Sequence, residues 1–173
     1  VRFFCDYWHS LQGDAPLPPC EKLDPLDFFT YLSRVFILEG QTIGELRVRP
    51  ARPDLVMDHR SHDRADQYHR GVRVFGADIA RQTAGGQVIS MLGTVYDGIG
   101  IDAVPTISEP EARRAVEARA GIRLGPTRRG ELVILPGGPG EFTLAWRLRA
   151  ATGNDLREYF VDARTGRIVF DYS

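Results

Sequence analysis

Residues 62–79, HDRADQYHRGVRVFGADI, constrain this chain most. They read as two extended runs meeting at Arg70-Gly71. Gly71 is the turn residue, because glycine takes a positive φ at no steric cost. Beyond it, Val72, Val74 and Gly76 fall on one face of a strand, and Arg73, Phe75 and Ala77 on the other. A glycine inside such a run predicts a bulge or a close backbone approach at Gly76.

The pattern continues through the body of the chain. Residues 68–83 and 87–95 read as strands joined through Ala84-Gly85-Gly86, a hairpin signal. Ser108-Glu109-Pro110-Glu111 opens a helix, with Ser108 as cap, Glu111 three residues on, and Pro110 where no helical hydrogen bond is lost. Ala112, Ala115, Val116, Arg119 and Ala120 give it a small-residue face, and Gly121 ends it. Strands then follow over 132–135, 142–150, 157–162 and 167–172. Phe142, Leu144, Trp146 and Leu148 alternate against Thr143, Ala145, Arg147 and Arg149. Pro136-Gly137-Gly138-Pro139-Gly140 and Ala163 to Gly166 are the turns between them.

A chain of 173 residues makes one ordinary domain or two small ones. Its 43% apolar and 26% charged residues are a globular composition. A net charge of −1, with arginines scattered among acids, gives no reason to expect nucleic acid or an anionic membrane as partner. No apolar run is long enough to span a bilayer as a helix. No signal-peptide pattern opens the chain, and Val1 is not an initiator methionine, as expected of numbering that begins inside a longer precursor.

Residues 1–40 are distinct. They hold Cys5, Cys20 and the only lysine, Lys22, together with a concentration of aromatics. Phe4, Tyr7, Trp8 and Leu11 have helical spacing, and Asp24-Pro25 opens a second helix. Val35 to Leu38 is a short apolar strand. The two cysteines either close a small loop in an oxidising compartment or stay as packed thiols. Tyr7, Trp8, Ser10, Leu11, Leu17, Pro18, Leu23, Asp24, Pro25 and Val35 to Leu38 together resemble the opening of a bacterial PAS-like sensory domain family. The other reading is an aromatic amphipathic segment packing on its neighbour. Residues 39–61 are a connector, with short strands expected around Ile43, Leu46 and Val48 and at 54–58.

A second resemblance rests on His62, Gln67, Tyr68, Gly71, Val72, Val74, Phe75, Gly76, Asp78 and Ile79. At this spacing they resemble the propeptide motif of the fungalysin and thermolysin families of secreted zinc metallopeptidases. Arg73 departs from the pattern, where the family has proline. The helix opening at Ser108 with Glu111-Ala112, and the run Tyr159, Val161, Asp162, Ala163, Thr165, Gly166 and Ile168, resemble a PepSY module. Together the two cover residues 55–173.

No catalytic constellation is present. His-Glu-x-x-His, two zinc ligands and a glutamate base on one helix, is absent: none of His9, His59, His62 and His69 precedes a glutamate. His62 and His69 point to opposite faces of a strand and do not converge on a metal. No serine lies in Gly-x-Ser-x-Gly, and Gly137 to Gly140 lack the Lys and Ser/Thr of a phosphate loop. Trp146 on an alternating strand reads as core.

The expected fold is α+β: two small antiparallel-sheet units, each packed by helix and preceded by a short helical segment. The expected units are 1–40, 41–104 and 105–173. The resemblance implies a noncatalytic prosegment, intramolecular chaperone and inhibitor of a secreted thermolysin-like metallopeptidase, with that catalytic domain as partner. The alternative is a stand-alone PepSY-type inhibitor or binding module acting in trans. A PAS-like sensor fragment with a small ligand is the third reading. No cofactor, metal, nucleic acid or membrane enters these readings. The residues expected at an interface are Tyr68, Phe75, Arg147 and Arg149.

Overall fold

The structure, a computed structural model, describes residues 44–50, 52–54, 57, 59–85, 87–125, 129–152 and 155–173. The aromatic segment 1–40, with Cys5, Cys20 and the elements expected there, lies outside the described residues. Within them the chain runs β1 (Glu45–Val48), β2 (Arg52–Pro53), β3 (Arg60–His69), β4 (Val72–Ala84), β5 (Gln87–Thr94), α1 (Glu109–Ala120), β6 (Glu131–Pro136), β7 (Phe142–Thr152), β8 (Asp155–Asp162) and β9 (Ile168–Tyr172).

These strands belong to a single mixed sheet, in the order β1-β3-β4-β6-β7-β8-β9, with β2 also on β3 and β5 also on β4. The fold is mostly β, with one helix among the described residues. It is not the expected pair of antiparallel-sheet units each packed by its own helix. The reason is β4. Its start pairs in parallel with β6, Arg73 opposite Val133 and Val74 opposite Ile134, while its later residues form the expected hairpin with β5. A hairpin partner lies next door in sequence, so alternation plus a glycine turn finds it. A parallel partner lies far along the chain, and no local pattern announces it.

By compactness the chain falls into two units. One takes the described residues up to His69 together with Gly76–Gly98; the other takes Arg70–Phe75 and Ile99–Ser173.

In the first unit β1 and β2 both lie antiparallel on β3. Among its described residues Ala65, Ala77, Ile79 and Val88 are buried apolar side chains. Buried polar groups also join its strands. The Arg81 guanidinium and Asp63 carboxylate are paired at 2.8 Å with both side chains almost wholly buried. The buried Gln67 amide accepts from the Tyr96 N–H at 2.9 Å and donates to the Tyr96 carbonyl at 2.5 Å, pinning the segment after β5 as a strand neighbour would. Gly93 allows a close approach in the β4–β5 ladder, since a Cβ there would stand 2.1 Å from the Asp78 carbonyl oxygen.

The second unit opens with the turn between β3 and β4. Arg70 and Gly71 both have positive φ, 49° and 82°, as a tight two-residue hairpin turn requires. After Gly76, at φ 73°, burial changes phase: Val74 is buried, and then Ala77, Ile79 and Arg81. The phase change falls where a bulge or close approach is expected, and the register shift of the β4–β5 ladder comes later, between Gln82 and Thr83. β6, β7, β8 and β9 form an antiparallel meander. The helix begins at Ser108, whose N–H donates to the Glu111 carboxylate at 2.7 Å, and it ends at Gly121 in the left-handed conformation. Ala112 and Val116 of α1 are buried against Leu148, Ala150, Tyr159 and Val161. The small residues let the helix lie close to the sheet, as their spacing predicts.

Candidate functional site

Strand alternation in the second unit sends two different sets of side chains to the two sheet faces. Leu148 and Ala150 of β7 and Tyr159 and Val161 of β8 meet α1. Arg147, Arg149, Glu158 and Phe160 point the other way, in register across the β7–β8 ladder. Glu131 of β6 stands opposite Arg147, and Phe170 and Tyr172 of β9 stand opposite Phe160 and Glu158. Arg73 and Phe75 of β4 complete this second face.

Its polar part is a continuous ladder. Arg73 donates to Glu131 at 2.8 and 3.1 Å. Arg147 donates to Glu131 at 3.1 Å, and through two nitrogens to Glu158 at 2.6 and 2.7 Å. Arg149 Nε donates to Glu158 at 2.7 Å and the Tyr172 hydroxyl to the same carboxylate at 2.8 Å. The Arg147 hydrogen bonds, helped by those from Tyr172 and Arg149, overcome burial and hold the Glu158 carboxyl down to about 2. Burial pushes the Glu131 carboxyl up, but Arg73 and Arg147 outweigh it, so it too lies below its ordinary value. Burial, and then Glu158, push the Tyr172 hydroxyl up, so it remains a donor.

The apolar part is a row of rings. Phe75 meets Phe160 edge-on at 4.8 Å. Phe160 in turn lies 5.7 Å from Phe170 and 6.2 Å from Tyr172. The Arg147 guanidinium lies 5.0 Å from the centre of the Phe75 ring. Phe160 is completely buried, whereas Phe170 and Tyr172 remain 47% and 38% exposed.

Of the four residues expected at an interface, the structure brings three together: Phe75, Arg147 and Arg149. Tyr68 belongs to the first unit, with the Arg47 guanidinium 4.2 Å from its ring centre. Glu158, Phe160, Phe170, Tyr172 and Glu131 were not among the expected site residues. The signal that finds them is the alternation of β8 and β9 read in register with Arg147 and Arg149.

The residues of the propeptide-like motif take mainly structural places. Gln67 pins Tyr96, Gly71 makes the turn, Gly76 takes a positive φ inside β4, and Val74 and Ile79 are buried. Val72 is half-buried. Asp78 accepts from Arg64 at 2.8 Å. His62 is half-exposed and meets Asp54 at 3.0 Å. Arg73, the departure from that motif, is the outer rung of the ladder. The first unit also has an open cleft of about 470 Å³, lined among the described residues by Arg49, Pro50, His62, Asp63, Arg64 and Ala80.

Among solved structures, the fold is similar to the YpeB C-terminal domain of Bacillus megaterium, with a TM-score of 0.43 and 16% identity over 92% of this chain and 68% of that one. A lipoprotein candidate from Clostridium difficile 630 is more distant, with a TM-score of 0.30 and 7% identity over 88% of this chain and 93% of that one. No curated protein matches the sequence. A family model described as PAS domain (PAS_5) matches residues 1–124. That match takes in the PAS-like opening of residues 1–40 and runs on through the strands that carry the propeptide-like motif. It overturns the recognition of a thermolysin-type propeptide with a PepSY module. Of the motif positions, Gly71 and Gly76 take a positive φ, a demand that glycine meets in any family. With most of its length inside the match, the chain belongs to the PAS_5 family of PAS domains.

Proposed function

We propose that this chain is a noncatalytic binding module that docks a protein partner on the sheet face opposite α1. The prosegment, chaperone and inhibitor expectation drew on the propeptide resemblance; a binding module acting in trans was the alternative to it. The observation behind it is the pairing of two exposed rings, Phe170 and Tyr172, with the half-exposed Arg149. Aromatic residues and arginine are the side chains most enriched at interface hot spots. Beneath them Phe160 and the Arg147–Glu158 pair hold the platform rigid, so little ordering cost falls on binding.

The test is selection of a displayed random-peptide library on the full chain and, in parallel, on Phe170→Ser, with circular dichroism to show that the variant is folded. The wild-type chain should enrich a family of related sequences, and F170S should not. No enrichment, or equal enrichment on both, removes the reading.

A second reading, small-molecule sensing, is favoured by the family match and by the cleft at Arg49, His62, Arg64 and Ala80. Under it, small organic acids should raise the melting temperature of the wild-type chain but not of Ala80→Trp, whose added ring fills the cleft. A rise that survives in A80W places the ligand elsewhere.

A further inference from the structure

We infer that the partner segment is acidic, carrying a carboxylate beside a large apolar side chain, with Arg149 as the residue that reads the carboxylate. This rests on the docking reading above and adds the chemistry of the occupant.

The argument is one of charge complementarity. Across the ladder, Arg73, Arg147 and Arg149 meet only Glu131 and Glu158 among the described residues. Three guanidiniums against two carboxylates leave one positive charge in excess. The excess is not shared evenly. Arg73 and Arg147 each engage carboxylate oxygens through two or more nitrogens, and their side chains are 17% and 15% exposed. Arg149 gives Glu158 its Nε alone, at 2.7 Å, and its side chain is 50% exposed. Its two terminal nitrogens are therefore the uncommitted fork of the ladder. Such a fork matches the two oxygens of a carboxylate.

Glu158 places that fork beside the rings. One of its oxygens accepts from Arg149 and the other from the Tyr172 hydroxyl, so the guanidinium and the phenol are one carboxylate apart. Phe170 lies 5.6 Å from Tyr172. A segment that sets an aspartate or glutamate on Arg149 thus has an aromatic platform for the neighbouring apolar side chain. Glu158 is saturated by four donated hydrogen bonds from three side chains, so it does not compete for the fork.

Peptide selection on three chains tests this: wild type, Arg149→Gln and Arg149→Lys. The wild-type pool should be rich in Asp and Glu next to aromatic or branched apolar residues. On R149Q the apolar preference should remain while the acidic excess disappears, and individual acidic peptides should bind about tenfold more weakly, the loss expected for one charge-assisted contact. R149K should keep part of the acidic preference, since it keeps the charge without the fork. A wild-type pool without acidic excess, an excess unchanged on R149Q, or a preference for phosphorylated over carboxylate peptides each overturns the inference. Binding without acidic preference leaves the docking reading standing, whereas absence of any enrichment removes both.

Discussion

The two faces of the sheet in the second unit are built by the same strands and finished in opposite ways. The face under α1 is closed by small and aliphatic side chains: Ala112 and Val116 from the helix, with Leu148, Ala150 and Val161 from the strands. The opposite face has no helix among the described residues. It is organised by ion pairs and rings, and its periphery stays exposed at Arg149, Phe170 and Tyr172. The first face stabilises by excluding water. The second holds charged groups in fixed positions at the edge of water, where their hydrogen bonds help less with folding and more with recognition.

The largest effect separating the faces should come from Phe160, which is wholly buried at the centre of the open face. Phe160→Ala should cost about 4 kcal/mol in urea denaturation, from lost burial and the cavity left behind. A loss under about 1 kcal/mol would show that this face contributes little to the core. Glu158→Ala comes next, because it strands Arg147 and Arg149 beside a hole. A loss of roughly 3 kcal/mol is expected, with Glu158→Gln milder because it keeps an acceptor.

On the helix side the corresponding perturbation is overpacking. Ala112→Leu should cost about 2 kcal/mol by pushing α1 off the sheet, yet leave peptide binding on the far face unchanged for the folded protein. Coupled loss of binding in A112L would mean that the faces are not separable.

Acid should also discriminate between them. The Glu158 carboxyl titrates at about 2 in the folded chain against an ordinary 4.5. A depressed folded value means that its contribution is present above pH 4.5 and lost as the pH falls towards 2. The urea midpoint of the wild-type chain should therefore fall through that window more steeply than that of Glu158→Gln, while A112L keeps the wild-type slope. Equal slopes for wild type and E158Q would remove the ladder as a source of acid sensitivity. The smallest effect should be that of Arg149→Gln on stability, within about 0.5 kcal/mol for an exposed pair, against its clear loss of acidic-peptide binding.

Much of the local structure was legible in the amino-acid order. The Arg70-Gly71 turn, the positive φ at Gly76, the β4–β5 hairpin, the helix between Ser108 and Gly121, and the strands β6 to β9 all follow from alternation and from residues suited to positive φ. Arg147 and Arg149 come together for the same reason, since they share one face of an alternating strand, whereas Phe75 reaches Arg147 only through the β4–β6 pairing. Tyr68 does not join them, because nothing in its own strand says which unit it belongs to.

What the sequence by itself determined is thus where the chain turns, which way each side chain faces along its own strand, and where the helix starts and stops. These are short-range matters, decided by backbone sterics, capping and a period of two or 3.6 residues. The tertiary structure alone decided that β4 pairs in parallel with β6, making one mixed sheet of the strands. It also decided that Arg73 joins Glu131 at the end of the ladder. Those pairings join residues far apart along the chain, and their energy is collected only when the strands are side by side. No window of neighbouring residues contains both partners.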